Sequence, residues 1–241
     1  MKLEILELTD ESIKFALTNT TIAFANSLRR VLLSEIPTVT IDLVEILRNN
    51  TVLPDEMLSH RLGMIPLYTI GHPLKYSRDC TCTTHCPDCS AVLELDVSNM
   101  DDETMLVTSG HLFLEEENVA IRNRDIVIAK LSRNQSVAAR CIARRGTAKM
   151  HAKWSPVTVV EYEYDPENIK RDTTMWYEND IEKEWPGVKE GEADLIKTID
   201  RVEMKVEVVE GCADPIPILL EALNILKSKI SKLIHFIETV E

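Results

Sequence analysis

The sequence predicts an α+β fold, a sheet covered by two helices and interrupted by a mixed, β-rich inserted subdomain that carries a metal loop. Three observations predict it. Period-two alternation of apolar residues stands near both ends of the 241-residue chain, each end also carries a helical apolar stripe, and between them the pattern breaks into short pieces around four clustered cysteines. Residues 1–36 and 157–241 are therefore assigned to one discontinuous domain, and residues 37–156 to the insert.

Taken in order, Leu3 and Ile5, then Ile13, Phe15 and Leu17, alternate on either side of Thr9-Asp10-Glu11 and predict a hairpin with its apolar residues on one face. Asn19-Thr20-Thr21 offers helix-capping side chains. The following stretch, Ala23 to Glu35, places Phe24, Leu28, Val31, Leu32 and Ile36 on one stripe before Pro37 ends it. Val39, Ile41 and Leu43 alternate again and begin a strand. Within the insert, residues 125–131 and 136–143 read as strands and Glu115-Glu116-Glu117 as an acidic stretch. After Pro156, residues 157–164 are strand-like, residues 165–192 suit a polar surface loop, and Val202, Met204, Val206 and Val208 form another strand.

The final segment is the most regular. Pro215 marks a helix start, and Ile216, Leu219, Leu223, Leu226, Ile230, Leu233, Ile237 and Val240 follow at alternating spacings of three and four. Leu220, Ala222, Ile234 and Phe236 widen the apolar face, with Glu221, Ser228 and His235 on the wet side. A seam of that length overshoots a sheet of ordinary strands, so part of it is expected to meet another chain. The seam alone does not separate a homodimer from a heterodimer.

Cys80, Cys82, Cys86 and Cys89 lie within the segment Arg78-Asp-Cys-Thr-Cys-Thr-Thr-His-Cys-Pro-Asp-Cys89. Two cysteines two residues apart point to the same side of an extended segment, and Pro87-Asp88 turns Cys89 back beside Cys86. Four sulfurs so spaced can close around one tetrahedral ion, for which zinc is the first reading. Local disulfides, uncoordinated thiols, iron, an iron–sulfur cluster, or His85 in place of one sulfur are the alternatives. Met1 to Glu7 carries acidic residues where a secretory leader needs an apolar run, which predicts a reducing compartment and disfavours disulfides. Four protein ligands leave no position open for substrate, so the site is expected to be structural. Cys141 and Cys212 stand apart and read as small core residues.

Composition narrows the function. A formal net charge of −13 repels nucleic-acid phosphates, and no basic stripe interleaved with aromatics offsets it. A metal-dependent nucleic-acid-binding module is thereby disfavoured. An enzyme is disfavoured by the absence of a phosphate-cradling glycine loop, of a His-Glu-x-x-His element and of an Asp-rich magnesium triplet. His151, with Lys149, Lys153 and Trp154 nearby, has no partner at catalytic spacing and reads as packing, with the ring covering a lysine stem. No apolar stretch approaches a membrane span.

Four segments resemble one family. Residues 25–38 (ANSLRRVLLSEIPT) look like the signature helix of the α-subunit family of cellular RNA polymerases, and residues 55–67 (DEMLSHRLGMIPL) resemble the second motif of its eukaryotic and archaeal members. The cysteine loop with residues 145–156 (RGTAKMHAKWSP), and Trp176-Tyr-Glu with Lys183-Glu-Trp-Pro186, are similar to the third-largest subunits of polymerase II. The resemblance implies a dimerisation domain made of both chain ends, a structural zinc, and a non-catalytic role in assembly. It further implies pairing with a small α-like subunit, contact with the two largest catalytic subunits and other small core subunits, and a nuclear location, with DNA met only through the complex. The motif positions carry over as Asn26, Arg29 and Arg30, with Leu219, Leu223, Leu226, Ile230, Leu233 and Ile237 supplying the other half of the contact. Arg29 and Arg30 are adjacent, so one is expected to face inward and the other to pair outside the chain. The paralogue shared by polymerases I and III, or the archaeal counterpart of these subunits, is the alternative within the family.

Overall fold

A computed structural model describes residues 1–70, 73–115, 118–164 and 201–240. Glu116 and Glu117, the expected loop at residues 165–192, and both tryptophan motifs at Trp176 and Lys183–Pro186 lie outside the described residues. Among the described residues there are twelve strands and three α-helices, arranged mainly as two four-stranded antiparallel sheets.

The first sheet joins the two ends of the chain. β1 (Lys2–Leu8) and β2 (Ser12–Thr18) form the expected hairpin, closed by Thr9, whose Oγ1 accepts from the Ser12 backbone N–H at 2.9 Å. Beside β2 lie β12 (Arg201–Val208) and then β11 (Val157–Glu163), giving the order β1-β2-β12-β11. Ile13, Phe15 and Leu17 of β2 meet Val202, Met204 and Val206 of β12 in register, and all six are buried. β1 departs from the expectation of a common apolar face, because it is exposed along its whole length, Leu3 and Ile5 included. It is an edge strand with a bulge between Ile5 and Glu7, and no helix among the described residues covers its apolar side chains.

Two helices cover this sheet. Asn19 takes a left-handed conformation (φ 52°), tolerated by its short polar side chain, and turns the chain from β2 into α1 (Ile22–Ser34). Thr21 caps α1, its Oγ1 accepting from the Phe24 N–H at 3.2 Å. Ala25, Leu28, Val31 and Leu32 face the sheet, Phe24 packs at the margin, and Ile36 is buried just beyond the helix end. α3 (Pro215–Val240) packs against α1 and the same core, with Pro217 falling in the first turn, where a missing N–H costs no intrahelical bond.

The second sheet has the order β3-β10-β5-β7, from β3 (Pro37–Asn49), β10 (Ser136–Thr147), β5 (Ser90–Ser98) and β7 (Phe113–Leu114). Val39 and Ile41 are buried as the alternation predicts, whereas Leu43 is exposed. α2 (Asp55–Gly63) lays Leu58 and Leu62 on the sheet's inner face, against Val39, Ile41, Leu93 and Cys141. Arg61 of α2 donates to the carbonyls of Val127 and Ile128, each at 2.7 Å, tying the helix to β9 (Val127–Leu131). β9 pairs with β6 (Met105–Thr108), and β4 (Tyr68–Thr69) pairs with β8 (Val119–Ala120).

After β10 the chain folds back so that Trp154 lies flat against Gly146. A Cβ on Gly146 would stand 2.4 Å from that ring, so only glycine fits. Trp154 donates its indole N–H to the Arg144 carbonyl at 3.1 Å, and its own carbonyl accepts from the buried Thr38 hydroxyl at 2.7 Å. The lysine stem expected beneath an aromatic ring is there too, with Lys153 Nζ 4.3 Å from the Trp154 ring centre and 2.8 Å from Asp42. The sheets are latched by Arg122, which forks onto Asp214 (2.8 and 3.4 Å) while lying 3.4 Å over the Tyr68 ring.

Candidate metal centre and interaction surfaces

The cysteine loop is shaped by short-range backbone hydrogen bonds. A 3-10 turn at Ser77–Asp79 delivers Cys80, and the Cys86 carbonyl accepts from the N–H groups of Cys89 and Ser90, each at 3.0 Å. The Ser90 hydroxyl donates to the same carbonyl at 2.9 Å, so the turn closes where β5 begins. Three further bonds brace the loop from outside. Lys75 N–H donates to the Asp88 carbonyl (2.8 Å), Lys75 Nζ pairs with Asp88 Oδ2 (2.9 Å), and Arg144 on β10 donates to the Thr84 carbonyl (3.2 Å). The Asp88 carboxylate raises the Lys75 ammonium above its ordinary value, first by hydrogen bonding and then by charge.

These constraints bring the four sulfurs together. Cys80 to Cys86 is 3.5 Å, Cys82 to Cys89 is 3.6 Å, and Cys86 to Cys89 is 3.7 Å, with all four donor atoms within 4.8 Å of one another. An ion bound by four sulfurs at ~2.3 Å requires sulfur–sulfur edges of about 3.8 Å, whereas a disulfide requires about 2.05 Å. All four cysteines are free thiols, and His85 is outside the cluster. The four can hold a metal ion. Their protonation makes the same point, because four crowded sulfurs cannot all be anionic without a cation between them. The Cys82 backbone N–H, with the neighbouring thiols, holds Cys80 down to about 7, while its neighbours Cys80 and Cys89 push Cys82 up to about 12. Cys141 and Cys212 are different. Burial raises them to about 12 and about 11, which leaves inert core thiols.

The braces from Lys75 and Arg144 were not legible in the sequence. Arg144 stands 60 residues from Thr84 and reaches it only because β10 and β5 are neighbours in register.

The comparisons with known proteins bear on this arrangement. A family model described as the RNA polymerase Rpb3/RpoA insert domain matches residues 35–159. DNA-directed RNA polymerase II subunit RPB3 of Schizosaccharomyces pombe is 43% identical, covering 96% of this chain and 85% of its own length. The chain belongs to the Rpb3/RpoA family of RNA polymerase subunits. RNA polymerase II subunit rpb3 of Dictyostelium discoideum is 41% identical over 77% of this chain and 65% of its own length. The archaeal subunit Rpo3 of Archaeoglobus fulgidus is 34% identical over 70% of this chain and 62% of its own length. The resemblance carried by residues 25–38 and 55–67 is thus matched along most of the chain, and the α+β architecture is the family's.

In this Rpb3/RpoA chain, α1 and α3 carry the other predicted site residues. Asn26 and Arg29 are half-buried and bonded to each other, Arg29 Nε and a terminal nitrogen donating to Asn26 Oδ1 at 3.1 and 2.9 Å. Arg29 also lies 5.8 Å over the Tyr162 ring, while Arg30 is exposed. Along α3 the environment changes abruptly. Ile218, Leu219 and Ala222 are buried, and Leu223, Ile225 and Leu226 pack at the margin of the core. The inward face is therefore centred on Ile218, Leu219, Ala222 and Ile225 rather than on the heptad positions alone. Ile216 is exposed, and Glu221, expected on the wet side, is half-buried. From Lys227 to Thr239 every residue is exposed, including Ile230 (56%), Leu233 (60%), Phe236 (65%) and Ile237 (55%). Lys229 reaches back to pair with Glu35 at the end of α1.

Proposed function

We propose that this chain is a non-catalytic assembly subunit of a nuclear DNA-directed RNA polymerase II. In this reading residues 1–36 and 157–241 form a dimerisation domain, and residues 37–156 an inserted subdomain with its metal loop at 80–89. Asn26, Arg29 and Arg30 on α1, and Leu219, Leu223, Leu226, Ile230, Leu233 and Ile237 on α3, serve the contact with a small α-like subunit. The heterodimer then anchors the two largest catalytic subunits and the other small core subunits, and DNA is met only through the complex.

The observation that carries this reading is the outer half of α3. Its apolar side chains repeat in the same seam as the buried half but have nothing over them within the described chain. Fully burying each such residue contributes about 1.5–3 kcal/mol, so a matching helix from a partner is strongly stabilised there. Four thiolates in a tight tetrahedron support zinc as the cofactor. In an iron–sulfur cluster the cysteines bind different irons and stand farther apart, which suits these distances less well. A bound zinc supplies cross-linking of the loop, while Cys80, Cys82, Cys86 and Cys89 hold it and leave no position for chemistry.

The test is affinity purification of the tagged chain from nuclei of its own cells, with mass spectrometry and metal analysis. The expected result is polymerase II's two largest subunits, a small α-like subunit and about one zinc per chain. Recovery of polymerase I or III subunits instead would assign the chain to the shared paralogue, and recovery of a homodimer alone would overturn the assembly reading.

A further inference from the structure

Beside the metal loop is a cavity of about 250 Å³ whose chemistry is opposite to that of the chain as a whole. One wall is cationic. Arg78 comes from the turn before the loop, and Arg144 and Arg145 from the end of β10, with Asp42 the one carboxylate among the lining residues. Asp42 is already engaged by Lys153 at 2.8 Å and by Arg144 at 3.8 Å. The other wall is apolar, from Tyr76, Met150 and Trp154, and Met150 is exposed at its rim.

The arginines are held in place rather than free to wander. Arg78 and Arg145 each stack on the Tyr76 ring at 4.7 Å. Arg145 donates to the Leu74 carbonyl at 3.1 Å, and Arg144 to the Thr84 carbonyl. The Arg144 Nε and the Ser77 hydroxyl are both buried atoms with no hydrogen-bond partner. Such atoms are costly unless something supplies an acceptor. A pocket with guanidinium groups held in place and an apolar wall is suited to an anion attached to an apolar group.

We propose that this pocket is a docking site for an acidic peptide segment of a partner protein, taking an Asp or Glu carboxylate on the arginines and a neighbouring apolar side chain against Met150 and Trp154. Guanidinium pairs carboxylate bidentately, so the recognition is directional. The small volume accepts a side chain, and the net charge of −13 opposes nucleic acid. The site is separate from α3, and its existence does not depend on what α3 binds.

The test uses the full chain and a fluorescein-labelled hexapeptide of alternating glutamate and leucine, read by anisotropy at low salt. The control peptide replaces every glutamate with glutamine. Wild type is expected to bind the acidic peptide and not the control, and Arg78→Glu to weaken binding by about tenfold or more. Arg78 is suited to the test because its side chain is 75% exposed, its ion pair is with the neighbouring, similarly solvated Asp79 at 3.8 Å, and it braces no backbone, so the variant is expected to fold. Arg133→Glu makes the same charge change at the other end of β10, where Arg133 pairs with Asp102, and should leave binding unchanged. Equal weakening by both variants, equal binding of the glutamine peptide, or no binding up to about 1 mM overturns the proposal. So does a single-stranded RNA hexamer that displaces the peptide from wild type but not from Arg78→Glu.

Discussion

The insert and the terminal domain both rest on a four-stranded antiparallel sheet, yet they close their apolar faces in different ways. In the insert, α2 and the short strands cover the inner face, and the cysteine loop is pinned against β5 and β10. In the terminal domain, α1 and the first three turns of α3 cover the sheet, after which α3 continues outward with its apolar side chains uncovered. A core of the first kind is complete within one chain. One of the second kind carries extra apolar surface that nothing among the described residues covers.

The sharpest way to break this contrast is at the metal loop. Cys86→Ser removes one of the four proposed ligands. Structural zinc supplies roughly 10–16 kcal/mol in small isolated modules and less where a larger fold supports the loop. Loss of metal and new protease cuts between Leu74 and Ser90 are expected, with partner binding through α3 retained, as measured by limited proteolysis, metal analysis and co-purification. A variant that kept its metal but lost the partner would reverse the roles given to the two regions.

The two halves of α3 give the next largest effect. Leu219→Ala, in the buried half, should cost about 2–5 kcal/mol in chemical denaturation, whereas Leu233→Ala should change it by under about 0.5 kcal/mol in the isolated chain. Leu233→Asp should abolish co-purification of the partner without unfolding the chain, because an unpaired carboxylate cannot be buried in the contact. Gly146→Ala is expected to cost about 1–3 kcal/mol by forcing the Trp154 ring aside, seen as a red-shifted tryptophan emission in a Trp176→Phe, Trp185→Phe background.

A small effect is expected at the latch between the two sheets. The Arg122 guanidinium, first by its hydrogen bond, holds the Asp214 carboxyl below its ordinary value, with a smaller contribution from Tyr68. A depressed carboxylate stabilises the folded chain above the unfolded-state value near 3.9, and that contribution is lost as pH falls through the lower folded value. Asp214→Asn should therefore melt slightly below wild type at neutral pH, by under about 1 kcal/mol at so exposed a pair, and the gap should close as acid protonates Asp214. A gap that persisted to the lowest pH would mean that Asp214 acts through something other than its charge.

Much of the terminal domain was legible because its signals are local. The hairpin, the Thr21 cap, the α1 stripe and the Pro215 start each depend on neighbours within a few residues. The four sulfurs were legible for the same reason, since ten residues of chain bring them together. The exposure of β1 was not, because Leu3 and Ile5 alternate like any half-buried strand, and it is the lack of a covering element at that edge, among the described residues, that leaves them in water. Ile218 and Ile225 were missed because a strict heptad drifts around a straight helix. The face that α3 turns inward follows the 3.6-residue period over its packed length.

Residue chemistry within short stretches was thus enough to specify the fold class, the helix limits near Pro37 and Pro215, the four cysteines that can hold a metal ion and the family. Which half of α3 is covered, which strand is an edge, and which arginines gather around Tyr76 were decided only by the tertiary structure. Arg78 and Arg145 are 67 residues apart in the chain and meet on one ring because strand pairing places the end of β10 beside the cysteine loop. Periodicity records which side chains avoid water, but it carries no information about what will stand over them. That is set by long-range strand order, where the apolar surface finally buried is chosen by packing.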